Sequence, residues 1–190
     1  MPTYPCYDIN VLESWEAIRK RPSMYADLAD PALPVTLVRN AIRAARELGA
    51  AGAQKFKIEA FAGGVIAVSD DGIGWDSTPV NGVPRAASLL REPAQASMQA
   101  SNLAVVTLVA LSHEFRLTTH HAGRVWSQQF LGGQAITPYE DQGPSTRTGS
   151  LMTLTLDKAL LPRVEFEAAP LRALAEELRA SGHQVELQEP

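Results

Sequence analysis

Apolar and polar residues alternate along several stretches of the chain, and this period of two predicts β-strands. The alternation is complete at 55–60, and after a short glycine turn the apolar run 65–69 follows, so these two stretches form a predicted hairpin. A second hairpin is predicted at 114–121 and 124–130. Two further strands are expected at 151–156 and 184–187.

A period of three to four residues in the apolar positions predicts helices elsewhere in the chain. The period is clearest at 32–48, where Val38, Ala41 and Ile42 recur on one side. The run 103–111 is almost wholly apolar and too short to cross a bilayer, so a buried helix is expected there. Two more helices are expected at 11–21 and 167–181.

The order of these elements predicts an α+β fold: helices, a hairpin, a long loop, a helix, a second hairpin, a strand, a helix and a closing strand. We expect a two-layer α/β sandwich in which helices cover one face of a mostly antiparallel sheet. A length of 190 residues suits a single domain over 1–190. Within it, residues 1–10 are expected to form an extended arm, and 76–102 a loop or lid that includes a short helix at 85–91.

Composition and charge narrow the classes of function. The net charge of -4 and the pI near 5.6 give no general attraction to nucleic acid or to an anionic membrane, so direct DNA binding is not expected. The single cysteine, Cys6, excludes an internal disulfide framework and a multi-cysteine metal site. We find no apolar run long enough for a membrane span and no secretion signal, so we expect a cytoplasmic protein without a membrane partner.

The most informative stretch for chemistry directly follows the apolar run 65–69. There Asp70, Asp71, Gly72 and Gly74 bring two carboxylates and two glycines into five residues. A carboxylate at the end of a strand can accept hydrogen bonds from an amino group, and glycines let a flat ring approach the backbone. The same residues are also typical of an acidic turn that closes a hairpin. The local spacing leaves both interpretations open.

Six short motifs occur in the order and spacing of one known family. They lie at 11–25 (VLESWEAIRKRPSMY), 38–42 (VRNAI), 68–74 (VSDDGIG), 105–112 (VVTLVALS), 147–150 (RTGS) and 165–166 (EF). Together they resemble the ATPase domain of the DNA gyrase B subunit and of its topoisomerase IV relative. The resemblance implies the GHKL, or Bergerat, ATP-binding fold, which gyrase B shares with histidine kinases, mismatch-repair proteins and heat-shock chaperones.

The resemblance also implies roles for particular residues. In the family, the carboxylate at the position of Asp70 receives the amino group of adenine, the residue at Ser150 shares a water at that contact, and the glycine at Gly74 lies beside the ring. Asn40 matches the asparagine that helps to hold Mg²⁺ against the phosphates, and Mg²⁺ requires oxygen ligands. Two more residues belong to the nucleotide-binding motif: Gly72 and Ile73. The implied cofactors are ATP or ADP, with Mg²⁺ as a further candidate.

The chain departs from the family pattern at the phosphate end of the site. Thr36 stands at the position of the general base, a glutamate, and a hydroxyl cannot take a proton from water at neutral pH. Arg39 replaces an aspartate, and Ile73 replaces an arginine that stacks near adenine. The glycine-rich lid falls on 99–104, where all three glycines are replaced. A phosphate cradle needs glycine for its backbone turns, so this part of the site is expected to be lost.

These features predict a nucleotide-binding module with little or no ATP hydrolysis, in which ATP or ADP is a regulatory ligand. The alternative is a pseudo-ATPase that binds no nucleotide and serves as a protein-interaction module, with gyrase-like partners or as a homodimer through the arm that carries Tyr4. A third hypothesis is a true ATPase whose base is Asp71 or Glu47. The chain has no counterpart of the family's DNA-cleaving parts, so it is not expected to be a topoisomerase on its own.

Overall fold

The computed structural model describes residues 12–48, 52–91 and 100–190. Several parts of the chain that carried predictions lie outside these ranges: the arm at 1–10 with Tyr4 and Cys6, residue 11, and residues 92–99 of the expected loop, which include the first lid position, Gln99.

All four helices predicted from the apolar period are confirmed. The described helices are α1 (Ser14–Lys20), a 3-10 turn (Pro22–Met24), α2 (Leu33–Leu48), α3 (Arg85–Arg91), α4 (Ala100–Leu111) and α5 (Ala168–Ala180). Because proline disfavours a helical conformation in the residue before it, α1 ends ahead of Pro22, and Arg21 has φ -140° and ψ 61°. In the described part of the chain, no helix is long and apolar enough to cross a membrane.

One large sheet and one small hairpin contain the described strands. The strands are β1 (Lys55–Phe61), β2 (Val65–Asp70), β3 (Pro79–Val80), β4 (Val83–Pro84), β5 (Ser112–His121), β6 (Arg124–Leu131), β7 (Gln134–Ala135), β8 (Glu140–Pro144), β9 (Gly149–Leu156) and β10 (Gln184–Gln188). The eight strands of the large sheet run in the order β10-β1-β2-β9-β5-β6-β7, and β8 also pairs with β6. All pairs are antiparallel except β1 with β10, which is parallel.

The predicted α+β sandwich is confirmed, because only one face of the sheet is buried. Along β1 and β9 buried residues alternate with more exposed ones, as expected when helices cover one face. The helices form the second layer, in which α4 packs against α1, α2 and α3. The hydrophobic core lies between these two layers.

Two parts of the chain differ from the predicted pattern. Between the second hairpin and the strand at 151–156, where no strand was predicted, the chain forms β8, which pairs with the edge of β6. The first part of the expected loop at 76–102 contains the β3–β4 hairpin, whose turn is formed by Asn81 (φ 52°) and Gly82 (φ 80°). The short helix expected at 85–91 is present as α3, and its apolar side chains are buried.

The character of the buried face changes at one end of the sheet. Strands β2, β9 and β5 each contribute one side chain to every cross-strand row on this face. The rows are Ile66–Leu154–Phe115, then Val68–Met152–Leu117, and finally Asp70–Ser150–Thr119. We call the last set the polar row. It holds the polar side chains that a purely structural core would not require, so it defines the place to examine for function.

Helix α1 is fixed to the rest of the molecule by one arginine. The Nη2 of Arg19 lies 2.6 Å from Oδ2 of Asp157, and its Nη1 donates a hydrogen bond to the carbonyl oxygen of Ala110 at 2.8 Å. The guanidinium group therefore ties α1 to the end of α4 and to the segment that follows β9. The hydrogen bond from Arg19 holds the pKa of Asp157 below its usual range, against the opposing effect of burial.

Candidate functional site

Asp70 is the last residue of β2, and its side chain lies on the helix-covered face of the sheet. Its Oδ1 accepts a hydrogen bond from the backbone N–H of Gly72 at 2.8 Å. Burial raises the pKa of Asp70 to about 6, with a further increase from the neighbouring charge of Asp71, while the N–H groups of Gly72 and Ser150 oppose the change. The carboxylate is thus held where its charged form is poorly solvated, and one protein hydrogen bond of good geometry reaches it from the described residues.

Ser150 and Thr119 extend the polar row from Asp70 across the sheet. Ser150 is directly opposite Asp70 on the neighbouring strand, and its Oγ lies 3.0 Å from Oγ1 of Thr119. The same Thr119 oxygen accepts the backbone N–H of Trp75 at 2.7 Å. Both contacts are buried, so connected hydrogen bonds join the turn after β2 to strands β5 and β9.

Gly74 allows the turn after β2 to lie directly on strand β5. Its φ is +81°, and a Cβ placed on it would lie 2.2 Å from the carbonyl oxygen of His120 and 2.8 Å from Oγ1 of Thr119. An L side chain is disfavoured by the dihedral angle and excluded by the space. Gly72 is also buried, and it supplies the N–H that Asp70 accepts. Both predicted glycines therefore position the turn against the polar row.

The two apolar residues of this turn have opposite environments. The side chain of Ile73 is 55% exposed, whereas Trp75 is 1% exposed and belongs to the core. The indole Nε1 of Trp75 is buried and finds no acceptor among the described residues. Trp75 is therefore a core residue whose backbone N–H contacts the polar row through Thr119.

Asn40 is not joined to the polar row. It lies half-buried on α2, and no hydrogen bond of its side chain to other described residues is found. Thr36 precedes it by one helical turn, and Arg39 points to α5, where its Nε lies 2.8 Å from Oε2 of Glu177. One amide oxygen beside an arginine is a poor set of ligands for Mg²⁺, which prefers carboxylates. In the described ranges, no group of three or more His, Cys, Asp or Glu side chains is close enough to hold a metal.

Asp71 performs a structural task next to the site. Its Oδ1 accepts the backbone N–H groups of Gln54 at 2.7 Å and of Lys55 at 2.9 Å, and so closes the start of β1 against the end of β2. These hydrogen bonds lower the pKa of Asp71 despite the opposing effect of desolvation. A carboxylate with a lowered pKa and two fixed donors is a poor general base. The other candidate base, Glu47, is an exposed residue on α2.

A cavity of about 490 Å³ adjoins the end of β2. Its lining includes Asp70 and Asp71 together with Lys57, Ser69 and Glu186, from the ends of β1, β2 and β10. The volume is in the range of small-molecule pockets. Asp70 is the one member of the polar row in this lining, so the cavity lies beside the row and does not enclose it.

No protein-family model matches the sequence, and no curated protein matches it either.

Most of the predicted site residues come together, and one further residue was missed. Gly72 donates to Asp70, Ser150 is opposite Asp70 in the sheet, and Ser150 and Gly74 both lie against Thr119, which the sequence analysis did not single out. Its position supplies the signal that could have found it. In β5 the core-facing residues continue from Phe115 and Leu117 to Thr119, where a third apolar residue would be expected.

Proposed function

We propose that this chain is a GHKL-type module that binds an adenine nucleotide, with little or no hydrolysis, and that ADP or ATP is its regulatory ligand. The polar row is the observation that carries the proposal. It ends the apolar rows of β2, β9 and β5 with a carboxylate that has acceptor capacity beyond the hydrogen bond from Gly72. An exocyclic amino group is the kind of donor that would use this capacity.

The ionisation of Asp70 supports a binding role for this carboxylate. Its pKa is raised to about 6 mainly by burial, so at neutral pH it is largely ionised although its surroundings disfavour the charge. Groups in this condition cluster at functional sites, because a ligand can supply the stabilisation that the protein withholds. A purely structural carboxylate would be expected to resemble Asp71, which has two backbone donors and a lowered pKa.

The low hydrolytic activity is supported by the residues at the phosphate end. Thr36 has no carboxylate to activate water, and Asp71 is engaged with the backbone of Gln54 and Lys55. Arg39 is paired with Glu177, so its charge is partly neutralised on the outer side of α2. Asn40 alone does not make a metal site, so we expect binding to depend little on Mg²⁺.

Calorimetric titration with ADP and with a non-hydrolysable ATP analogue tests the proposal, with and without Mg²⁺. We expect saturable binding to the wild-type chain and loss of binding in Asp70→Asn, in which the acceptor loses its charge and the side chain gains an N–H₂ group. Asp71→Asn is the matched control, because it removes the adjacent carboxylate and leaves the polar row intact. It should bind like wild type at a temperature at which it remains folded.

Two outcomes would contradict the proposal. Absence of binding to a folded wild-type protein would refute the nucleotide-binding role. Phosphate release from ATP above background, lost in Asp70→Asn, would refute the claim of little or no hydrolysis.

A second candidate function is a protein-interaction module that binds no nucleotide. The observation that favours it is Trp75, whose large side chain is fully buried and whose backbone N–H is bonded to Thr119 of the polar row. Trp75→Ala separates the two functions. If the tryptophan fills the base site, the variant should gain ADP binding that the wild type lacks, whereas under the leading proposal the variant should bind ADP less well than wild type.

A further inference from the structure

Thr119 is the junction of the polar row. Its side chain is 0% exposed, and its Oγ1 is within hydrogen-bond distance of two groups that belong to different elements. One is the backbone N–H of Trp75 at 2.7 Å, in the turn after β2, and the other is Oγ of Ser150 at 3.0 Å, on β9. Through these contacts a single hydroxyl group on β5 connects the turn after β2 with strand β9.

The direction of the hydrogen bond between the two hydroxyl groups follows from counting donors. The Thr119 hydroxyl has one hydrogen and two lone pairs. One lone pair receives the N–H of Trp75, and the only other group bonded to this oxygen among the described residues is Ser150. If Ser150 donated to Thr119, the spare hydrogen would lie on Thr119, which is 0% exposed, whereas in the opposite direction it lies on Ser150, which is 6% exposed and stands opposite Asp70. A hydrogen without an acceptor costs more at the fully buried site. The favoured arrangement therefore has Thr119 donating to Ser150.

This arrangement determines what Ser150 offers to a ligand. Since its oxygen accepts from Thr119, its own hydrogen remains available for another acceptor. Ser150 lies directly opposite Asp70 in the sheet, so a hydroxyl donor and a carboxylate acceptor stand side by side. A ligand complementary to this pair has an N–H donor next to a ring-nitrogen acceptor. The amino group and N1 of adenine have this arrangement.

We propose that Thr119 is a positioning residue of the candidate site: its hydroxyl fixes Ser150 as the hydrogen-bond donor toward the ring nitrogen of the bound base. The proposal rests on the proposed function, and it adds a residue and a direction of hydrogen bonding to it. Valine has nearly the same side-chain volume as threonine. If Thr119 only filled the core, its hydroxyl would therefore have no effect on which ligand binds.

A comparison of two ligands and two variants tests the role of Thr119. The ligands are ADP and 1-deaza-ADP, in which a C–H group replaces N1 next to the amino group. Wild type should bind 1-deaza-ADP roughly three- to tenfold more weakly than ADP, the effect of one net hydrogen bond. Thr119→Val should bind ADP more weakly by a similar factor and should lose the discrimination between the ligands. Thr119→Ser retains the hydroxyl and should restore both the affinity and the discrimination.

Several results would overturn the assignment. Equal weakening of both ligands by Thr119→Val, with the ratio between them unchanged, would leave Thr119 a structural role only. Failure of a folded Thr119→Ser to discriminate would mean that the methyl group and not the hydroxyl is needed. If Thr119→Val does not fold, Ser150→Ala decides the question, because it removes the proposed donor directly. Continued discrimination by Ser150→Ala would refute the assignment.

The test distinguishes this inference from the proposed function. Purine riboside diphosphate lacks the amino group, so its weaker binding reports the contact with Asp70 independently of Thr119. If wild type binds ADP in a manner that depends on Asp70 but not on Thr119, only the inference fails. If folded wild type binds neither ADP nor its analogues, the proposed function fails and the inference with it.

Discussion

Replacing Asp70 by asparagine is expected to stabilise the folded protein at neutral pH, although it removes a charged group from the candidate site. Asparagine has nearly the same shape, and its Oδ1 can accept the N–H of Gly72 as the carboxylate does. What it lacks is the charge, which burial makes unfavourable. The substitution therefore separates the cost of burying the carboxylate from its other contacts.

The expected gain follows from the ionisation of Asp70. Its pKa is raised from 3.8 to about 6 on folding, a difference worth about 3 kcal/mol in the free energy of unfolding. Asp70 keeps some contact with solvent, and screening reduces the expected gain to ~1–3 kcal/mol. Each kcal/mol corresponds to a rise of about 2–4 °C in the melting temperature for a chain of this size.

The sign of the pH dependence provides a sharper check than the gain alone. Between the unfolded pKa near 3.8 and the folded pKa of about 6, the native state binds more protons at Asp70 than the unfolded state does. The contribution of Asp70 to the free energy of unfolding therefore falls as the pH rises through this window and is constant above it. Asp70→Asn lacks this contribution, so its advantage over wild type should grow from pH 4 to pH 7.

Urea unfolding followed by tryptophan fluorescence at several pH values between these limits measures the effect. Asp71→Asn is the control of opposite sign, because the pKa of Asp71 is lowered by its backbone hydrogen bonds and its loss should destabilise the protein at neutral pH. A destabilised Asp70→Asn, or an advantage that does not change with pH, would refute the reasoning. Asp70 would then be a structural carboxylate.

Three further predictions follow from the same structure. ADP affinity should be constant above pH 7 and should fall below the Asp70 pKa of about 6, approaching a tenfold loss per pH unit as the carboxylate becomes protonated. Calorimetry across pH 5–8 would show this dependence. An affinity that does not change with pH would contradict it. Gly74→Ala should destabilise the fold by more than the ~1–2 kcal/mol that a left-handed conformation costs, because its Cβ would meet the carbonyl of His120. The matched control is Gly82→Ala, at a glycine with φ +80° and open space around it. Equal losses of stability in urea unfolding would refute the close approach at Gly74. Arg19→Met should lower the free energy of unfolding by ~2–4 kcal/mol, since it leaves the carboxylate of Asp157 partly buried without its partner; Lys20→Met, on the exposed side of α1, should have little effect.

The fold could be predicted largely because its strands and helices have regular patterns of burial. The alternation in β1, β2, β5 and β9 is a direct consequence of one covered face, so sequence reasoning found these strands. Strand β8 has no such pattern, because it pairs through its backbone with the edge of β6 and buries little. Its pairing depends on a neighbour that is distant in the sequence and not on its own residues.

The β3–β4 hairpin was missed for a different reason. The pair Asn81-Gly82 between two valines is a strong signal for a tight hairpin turn, but the surrounding proline and glycine residues suggested an irregular loop. The signal was present, and the composition of its neighbourhood concealed it.

The candidate site could be predicted only where its residues stand in a recognisable motif. Asp70, Gly72 and Gly74 lie within five residues, and their joint pattern is recognisable at the end of a strand. Thr119 lies in an ordinary alternating strand, and its importance arises from the turn that reaches it across the sheet. Arg39 was one of several cations on α2, and only the packing of α5 identifies Glu177 as its partner.

The order of strands in the sheet has a consequence for the time course of folding. Strand β2 pairs with β1 on one side and with the distant β9 on the other, and the second neighbour of β1 is the distant β10. This part of the sheet therefore depends on contacts between distant parts of the chain. Such long-range pairing is slow to form. The polar row is completed only when β9 docks between β2 and β5, and because this pairing joins distant parts of the chain we expect it late in folding. A ligand held by this row would therefore slow unfolding while leaving the folding rate nearly unchanged.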